Sequence, residues 1–168
     1  SGAAQRISDT LMSIFGGKNV TWAMMVTGLV VGIPLFYNVG FVLLVPLVFT
    51  VSYQYKLPAV YVGIPLLAAL SVTHGFLPPH PSPAALVAQF DANMGLTLAY
   101  GLIIVVPTII IAGPVFARFL KNIEAKPLET FQAKPKAEKD LPGKFNSFFS
   151  ALFPVFFLVG ATVLTLNM

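Results

Sequence analysis

Residues 20–53 run without a single Asp, Glu, Lys or Arg. That stretch is long for one membrane span and tight for two, since crossing hydrocarbon takes about 20 apolar residues. Pro34, Asn38, Gly40 and Pro46 interrupt it. The run Tyr37-Asn38-Val39-Gly40 reads as a non-helical break between two shortened helices, near 20–36 and 41–54. A simple extramembrane turn is the other reading. Further apolar runs predict helices near 57–74, 96–119 and 145–166, the second kinked near Pro107 and Gly113-Pro114. Residues 3–15 follow a different pattern. Ala4, Ile7, Leu11, Ile14 and Phe15 share one helical face, with Arg6, Asp9 and Ser13 elsewhere. Such a helix suits a membrane interface or one arm of a buried hairpin.

Between the apolar runs lies Ser71-Val-Thr-His-Gly-Phe-Leu-Pro-Pro-His-Pro-Ser-Pro83. It holds both histidines and four of the fourteen prolines. Irregular, polar backbone at membrane depth is tolerated only where protein buries it or where it lines a cavity. Residues 75–82 are therefore expected to be a non-helical site loop. Gly75 is a stop signal for the helix before it. Ser82 reads as N-cap and Pro83 as the first position of a short helix near 83–90. The residues Asp91 to Gly95 read as a turn.

Composition fits this organisation. Charged residues make up 10% of the chain, against roughly 25% in soluble domains, and mean hydropathy is +0.84. The expected fold is all-α and polytopic, with broken helices and a re-entrant Pro-rich loop. Short alternating segments of a β-barrel are not visible. Seven of the ten basic residues fall in 118–144, and 57–117 contains none. A pI near 9.5 then reflects a cytoplasmic loop obeying the positive-inside rule, not nucleic-acid binding. Residues 1–120 form the transmembrane core, 121–144 the polar cytoplasmic loop and 145–168 a last, truncated span. The opening serine and the apolar C-terminal end are expected to mark a piece of a longer protein. Cysteine is absent, which excludes disulfides and thiolate metal ligation.

The chemistry available in 71–83 suits a small anion bearing hydroxyls. A helix starting after the loop directs its free N–H groups and positive dipole end at the site. Ser71, Thr73 and Ser82 offer hydroxyls. His74 and His80 donate hydrogen bonds and titrate near neutral pH, which makes them candidates for proton coupling. Asp91 is a third, as the one carboxylate between Asp9 and Glu124. Asn38 and Asn93 are either turn formers or hydroxyl-binding amides. For each histidine the bland alternative is an interfacial ring capping a carbonyl. Two histidines six apart without a carboxylate or thiolate are not metal-ligand spacing. Ser82 lacks the glycines of a nucleophile elbow. No catalytic set, metal set or cofactor is indicated. An intramembrane enzyme or metal-binding protein using His74 and His80, or a structural membrane fragment, are the competing classes.

Thr73-His-Gly-Phe-Leu-Pro-Pro-His-Pro-x-Pro83 resembles the signature of the gluconate permease family. So do Gly32-Ile-Pro-Leu-Phe-Tyr-Asn-Val-Gly-Phe-Val-Leu-Leu44, Ala112-Gly-Pro-Val-Phe-Ala-Arg118 and the opening Ser1-Gly-Ala-Ala. The resemblance runs in order from residue 1 to about 120 and is weaker beyond. It implies a proton-coupled symporter importing gluconate or a related sugar acid across the bacterial inner membrane, not an enzyme. The candidate substrate contacts are Thr73, His74, Gly75, His80, Ser82, Asn38 and Asn93, read from the chemistry of the residues. The implied partners are the sugar acid, the proton, membrane lipid, the remaining helices of a longer protein and a second copy in a homodimer. Two positions depart from the family pattern. Position 82, commonly glycine, is serine, and position 38, commonly glutamate, is asparagine.

Overall fold

The computed structural model describes residues 2–78, 80–123 and 137–166. Among these every regular element is helical: α1 Gly2–Phe15, α2 Val20–Gly32, α3 Tyr37–Tyr55, α4 Ala59–Phe76, α5 Pro81–Gln89, α6 Met94–Ile110, α7 Phe116–Leu120 and α8 Lys144–Leu166. Four spans are long and apolar enough to cross a membrane, or five if α1 and the segment Gly17–Gly32, bent by 111°, count as one. The protein is a polytopic membrane protein. The expected cytoplasmic loop lies mostly outside the described residues.

At the Pro-rich segment the structure shows a break within a single span. α4 and α5 together form the 31-residue apolar stretch Ala59–Gln89. The sharply bent pair lies at α1 and α2 instead, where Gly16 takes φ 71°, a conformation that glycine adopts without penalty.

The helix ends follow from proline sterics. Leu77 precedes Pro78 and is extended, at φ −102° and ψ 122°, because a residue before proline is pushed out of the helical region. Gly75 therefore does not stop α4; the helix continues to Phe76. His80 precedes Pro81 and is extended for the same reason, at φ −60° and ψ 146°. Pro81 takes the first helical position, where its missing N–H costs nothing. The N-cap is thus His80 and not Ser82, and α5 begins two residues earlier than expected. The break expected over 75–82 is narrower, with α4 running to Phe76 and α5 starting at Pro81. The other break also moves, from 37–40 to 33–36. Pro34 removes a donor from the end of α2, and α3 is already helical at Tyr37, with the Gly40 N–H bonded to Phe36 O at 2.9 Å. Gly40 is there for packing, since a Cβ would collide with the side chain of Leu70.

Packing centres on α2 against α4. Lipid tails are as apolar as leucine, so helices associate in membranes through close contact of small residues. Gly28 and Gly32, four apart, supply that contact. A Cβ on Gly28 would collide with Leu66 O, and one on Gly32 would meet Thr73 Oγ1 at 2.5 Å. α6 runs antiparallel to α4, with Gly101 facing Leu77 and Gly113 facing Pro65. The kink expected at Gly113-Pro114 takes the form of a π-helical turn, Ile111–Val115, in which the Phe116 N–H reaches back to Ile111 O. Fully buried Ile7, Met24, Leu44, Leu66 and Leu70 fill one core; Ala69, Leu77, Leu98, Val105 and Ile109 fill a second.

The bundle has two chemically different ends. Arg6 of α1 bonds Pro142 O at 2.9 Å and Glu138 Oε1 at 3.2 Å. Gly17 lies against the Tyr55 ring at the end of α3. Arg6, Lys18, Lys56, Arg118, Lys121, Lys139 and Lys144 gather towards this end. The C-terminus of α2 and the N-terminus of α3 meet the end of α4 towards the other. α5 carries the chain about 13 Å beyond the break, so the junction sits inside a span.

Candidate functional site

The two helix breaks face each other. Between them is an open cavity of about 780 Å³ lined by Phe36, Tyr37, Asn38, Ser71, His74, Pro81 and Ser82. Its volume is in the range of small-molecule sites. No Asp, Glu, Lys or Arg is among these lining residues.

Two helix N-termini border the cavity, and they differ in what they offer. In α5, Pro81 and Pro83 have no N–H, and the Ala84 N–H is bonded to His80 O at 3.0 Å. The first turn of α5 can give a ligand only the N–H of Ser82. This corrects the expectation of a ring of free amides there. In α3, helical bonding starts at Gly40 and no side chain caps the helix. The N–H groups of Tyr37, Asn38 and Val39 lie outside the helical ladder, as at any helix start. The terminus with more free N–H groups is α3, which carries Asn38 on its first turn.

The histidines form a connected pair. His74 Nδ1 and His80 Nδ1 are 3.3 Å apart, with ring centroids at 4.8 Å. His80 is 4% exposed, and its Nε2 lies 3.0 Å from Gly32 O. That carbonyl is left without a helical partner because α2 ends there. His80 thus caps α2 from 48 residues away, tying one break to the other. Of the bland reading, an interfacial histidine capping a carbonyl, His80 shows the carbonyl cap, but the residue is buried rather than interfacial. That reading does not describe His74, which lines the cavity. The Phe36 ring stands 6.0 Å from His74 and 6.3 Å from His80, packing over both.

The remaining candidates separate clearly. Thr73 is fully buried, and its Oγ1 is committed to Ala69 O at 2.9 Å and Leu70 O at 3.0 Å. Gly75 lies in the last turn of α4, where a Cβ would meet nothing within 4 Å. Asp91 adopts φ 49° and ends α5, with the Ala92 N–H on Val87 O at 2.9 Å. This is a helix-terminating motif in which Asp tolerates the left-handed conformation. Asn93 is the N-cap of α6, its Oδ1 accepting from the Leu96 N–H at 2.9 Å. None of these four lines the cavity. The sequence reading missed Phe36, Tyr37 and the Gly32 carbonyl. The signal for the last was present: the Gly28-x3-Gly32 spacing followed by Pro34 marks a close-packed helix about to end.

Residues 1–168 match the family described as GntP family permease. The chain belongs to that family. It is 50% identical over 164 residues to the Gnt-II system L-idonate transporter of Escherichia coli K12, covering 97% of this chain and 37% of that protein. It is 51% identical over 156 residues to a high-affinity gluconate transporter of the same organism, covering 92% and 35%. It is 43% identical over 173 residues to the gluconate permease of Bacillus subtilis 168, covering 99% and 39%. The chain therefore spans little more than a third of the curated permeases it matches. No solved structure matches it.

Proposed function

We propose that this chain forms the substrate-binding core of a proton-coupled carrier that imports gluconate or a related sugar acid across the bacterial inner membrane. Helices beyond it complete the carrier. The family and its named relatives support a carrier, and not an enzyme. The observation that carries the reading is the cavity between the two breaks, largely apolar with a few convergent polar groups (Asn38, Ser71, His74, Ser82) and no fixed charge among its lining residues. A carboxylate entering it meets the N–H groups and positive dipole end of α3. Asn38, Ser71 and Ser82 are placed for the hydroxyls of a polyol chain. His74 supplies the titratable group beside the anion. A buried, unpaired carboxylate would cost several kcal/mol, so substrate and proton enter together at lower cost than either alone.

The test uses the full-length carrier in proteoliposomes with labelled gluconate. Uptake should be driven by an inwardly directed proton gradient and collapse with a protonophore, while a chelator leaves it unchanged. Uptake indifferent to the gradient removes the coupling. Loss with the chelator favours a metal-dependent protein, and no uptake of any sugar acid favours a structural role.

A further inference from the structure

The geometry points to His74 and His80 acting as one site that holds one proton, loaded at Nε2 of His74, with His80 a positioning residue. This rests on the carrier reading above and divides the labour within it.

The argument starts from the Gly32 carbonyl, which can only accept. His80 Nε2 at 3.0 Å must therefore carry hydrogen. A neutral imidazole has one N–H, so His80 Nδ1 is bare. The contact of the two Nδ1 atoms at 3.3 Å needs one hydrogen between them, and His74 must supply it. Neutral His74 is thus the Nδ1–H tautomer. Its Nε2 is left as a lone pair on a residue that lines the cavity. Without the Gly32 tie, neither tautomer would be fixed.

Adding a proton at His74 Nε2 turns an acceptor into a charged donor. His74 gains one positive charge, the sugar acid brings one negative charge, and the loaded cavity is neutral. A second proton has no place. It would set N–H against N–H across the same 3.3 Å contact, between two cations. The groups facing the pair add no charge of their own. They are the Gly32 carbonyl of α2, the Phe36 ring, Tyr37 and Asn38 of α3, Ser71 of α4 and Ser82 of α5. Asp91 sits exposed at the far end of α5. Tyr37 is the other titratable side chain lining the cavity.

The experiment measures protons moved per gluconate by the full-length carrier in proteoliposomes. Wild type should move one. His80→Gln, whose amide can still donate to Gly32 O, should keep one proton per anion at a rate reduced a few-fold. His80→Leu, which leaves that carbonyl unmet, should fall about tenfold or more. His74→Gln should uncouple, exchanging gluconate without proton movement. Two protons in wild type, or uncoupling by His80→Gln but not by His74→Gln, overturns the assignment. A wild type that carries gluconate without protons removes the coupled carrier itself, and the proton site with it. Should the variants fail to fold, ¹⁵N spectra of histidine-labelled wild type at alkaline pH decide. Opposite tautomers are expected, Nδ1–H at His74 and Nε2–H at His80. Matching tautomers overturn it.

Discussion

Gly32 and Thr73 approach so closely that a methyl group on the glycine would meet Thr73 Oγ1 at 2.5 Å. This contact holds α2 on α4 at the level of the cavity. The carbonyl of the same glycine receives His80, so packing and site geometry share one residue.

Gly32→Ala should therefore impair both stability and uptake. Overpacking of this kind costs about 1–3 kcal/mol. Thr73→Ala frees the colliding atom, so Gly32→Ala/Thr73→Ala should recover part of the loss, giving a favourable coupling in a double-mutant cycle. Melting of the purified carrier and gluconate uptake are the measurements. Strictly additive losses would mean that the two helices do not press together at this point.

Asn38 stands on the first turn of α3 and lines the cavity. Asn38→Leu should raise the KM for gluconate roughly two- to tenfold, the value of one lost hydrogen bond. Asn38→Glu should introduce a need for acid. Its carboxylate must be protonated to share the cavity with an anion, so KM should climb with pH as the new group ionises. A KM for Asn38→Glu that tracks wild type at every pH would place the side chain away from the substrate.

The basic end of the bundle is expected to face the cytoplasm. A cysteine at Lys139 should react with an impermeant maleimide in inside-out vesicles, and a cysteine at Asn93 in right-side-out vesicles. The reverse labelling pattern would turn the assignment over.

Arg6 and Glu138 test the polar layer at that end. Glu138 is 86% exposed, so Glu138→Ala should cost less than about 1 kcal/mol, as surface ion pairs do. Arg6 also donates to Pro142 O and Glu138 O, and those bonds survive loss of the carboxylate. Arg6→Ala should lower the melting temperature more than Glu138→Ala does. Equal effects would reduce the Arg6 contribution to the ion pair alone.

Much of this was legible in the chain because apolar length and proline positions act locally. The spans, the irregular turn at Gly113-Pro114 and the break after α4 all follow from such rules. The break limits were harder to read. Gly75 resembles a helix stop, yet glycine only permits termination, whereas Pro78 enforces it on Leu77. Ser82 resembles an N-cap, yet Pro81 had already claimed the first helical position. Asn38, His74 and Ser82, which the sequence marks as site candidates, line one cavity. Thr73 and Asn93 carry the same hydroxyl and amide groups, but helix carbonyls and an N-cap already employ them, and Asp91 sits in a left-handed turn away from the cavity. These commitments are to partners within five residues along the chain, but residue type alone does not say which bond a side chain makes. The tie from His80 to Gly32 spans 48 residues and has no local signature.

The prolines at 81 and 83 have a consequence for ancestry. They leave the Ser82 N–H as the one free amide in the first turn of α5, so that wall of the cavity is formed mostly by replaceable side chains rather than by a fixed backbone cradle. A backbone cradle is inherited with the fold and resists change. Side chains such as Ser71 and Ser82 can be exchanged singly, leaving the helices where they are. A lineage built on this plan can reshape the cavity wall one codon at a time.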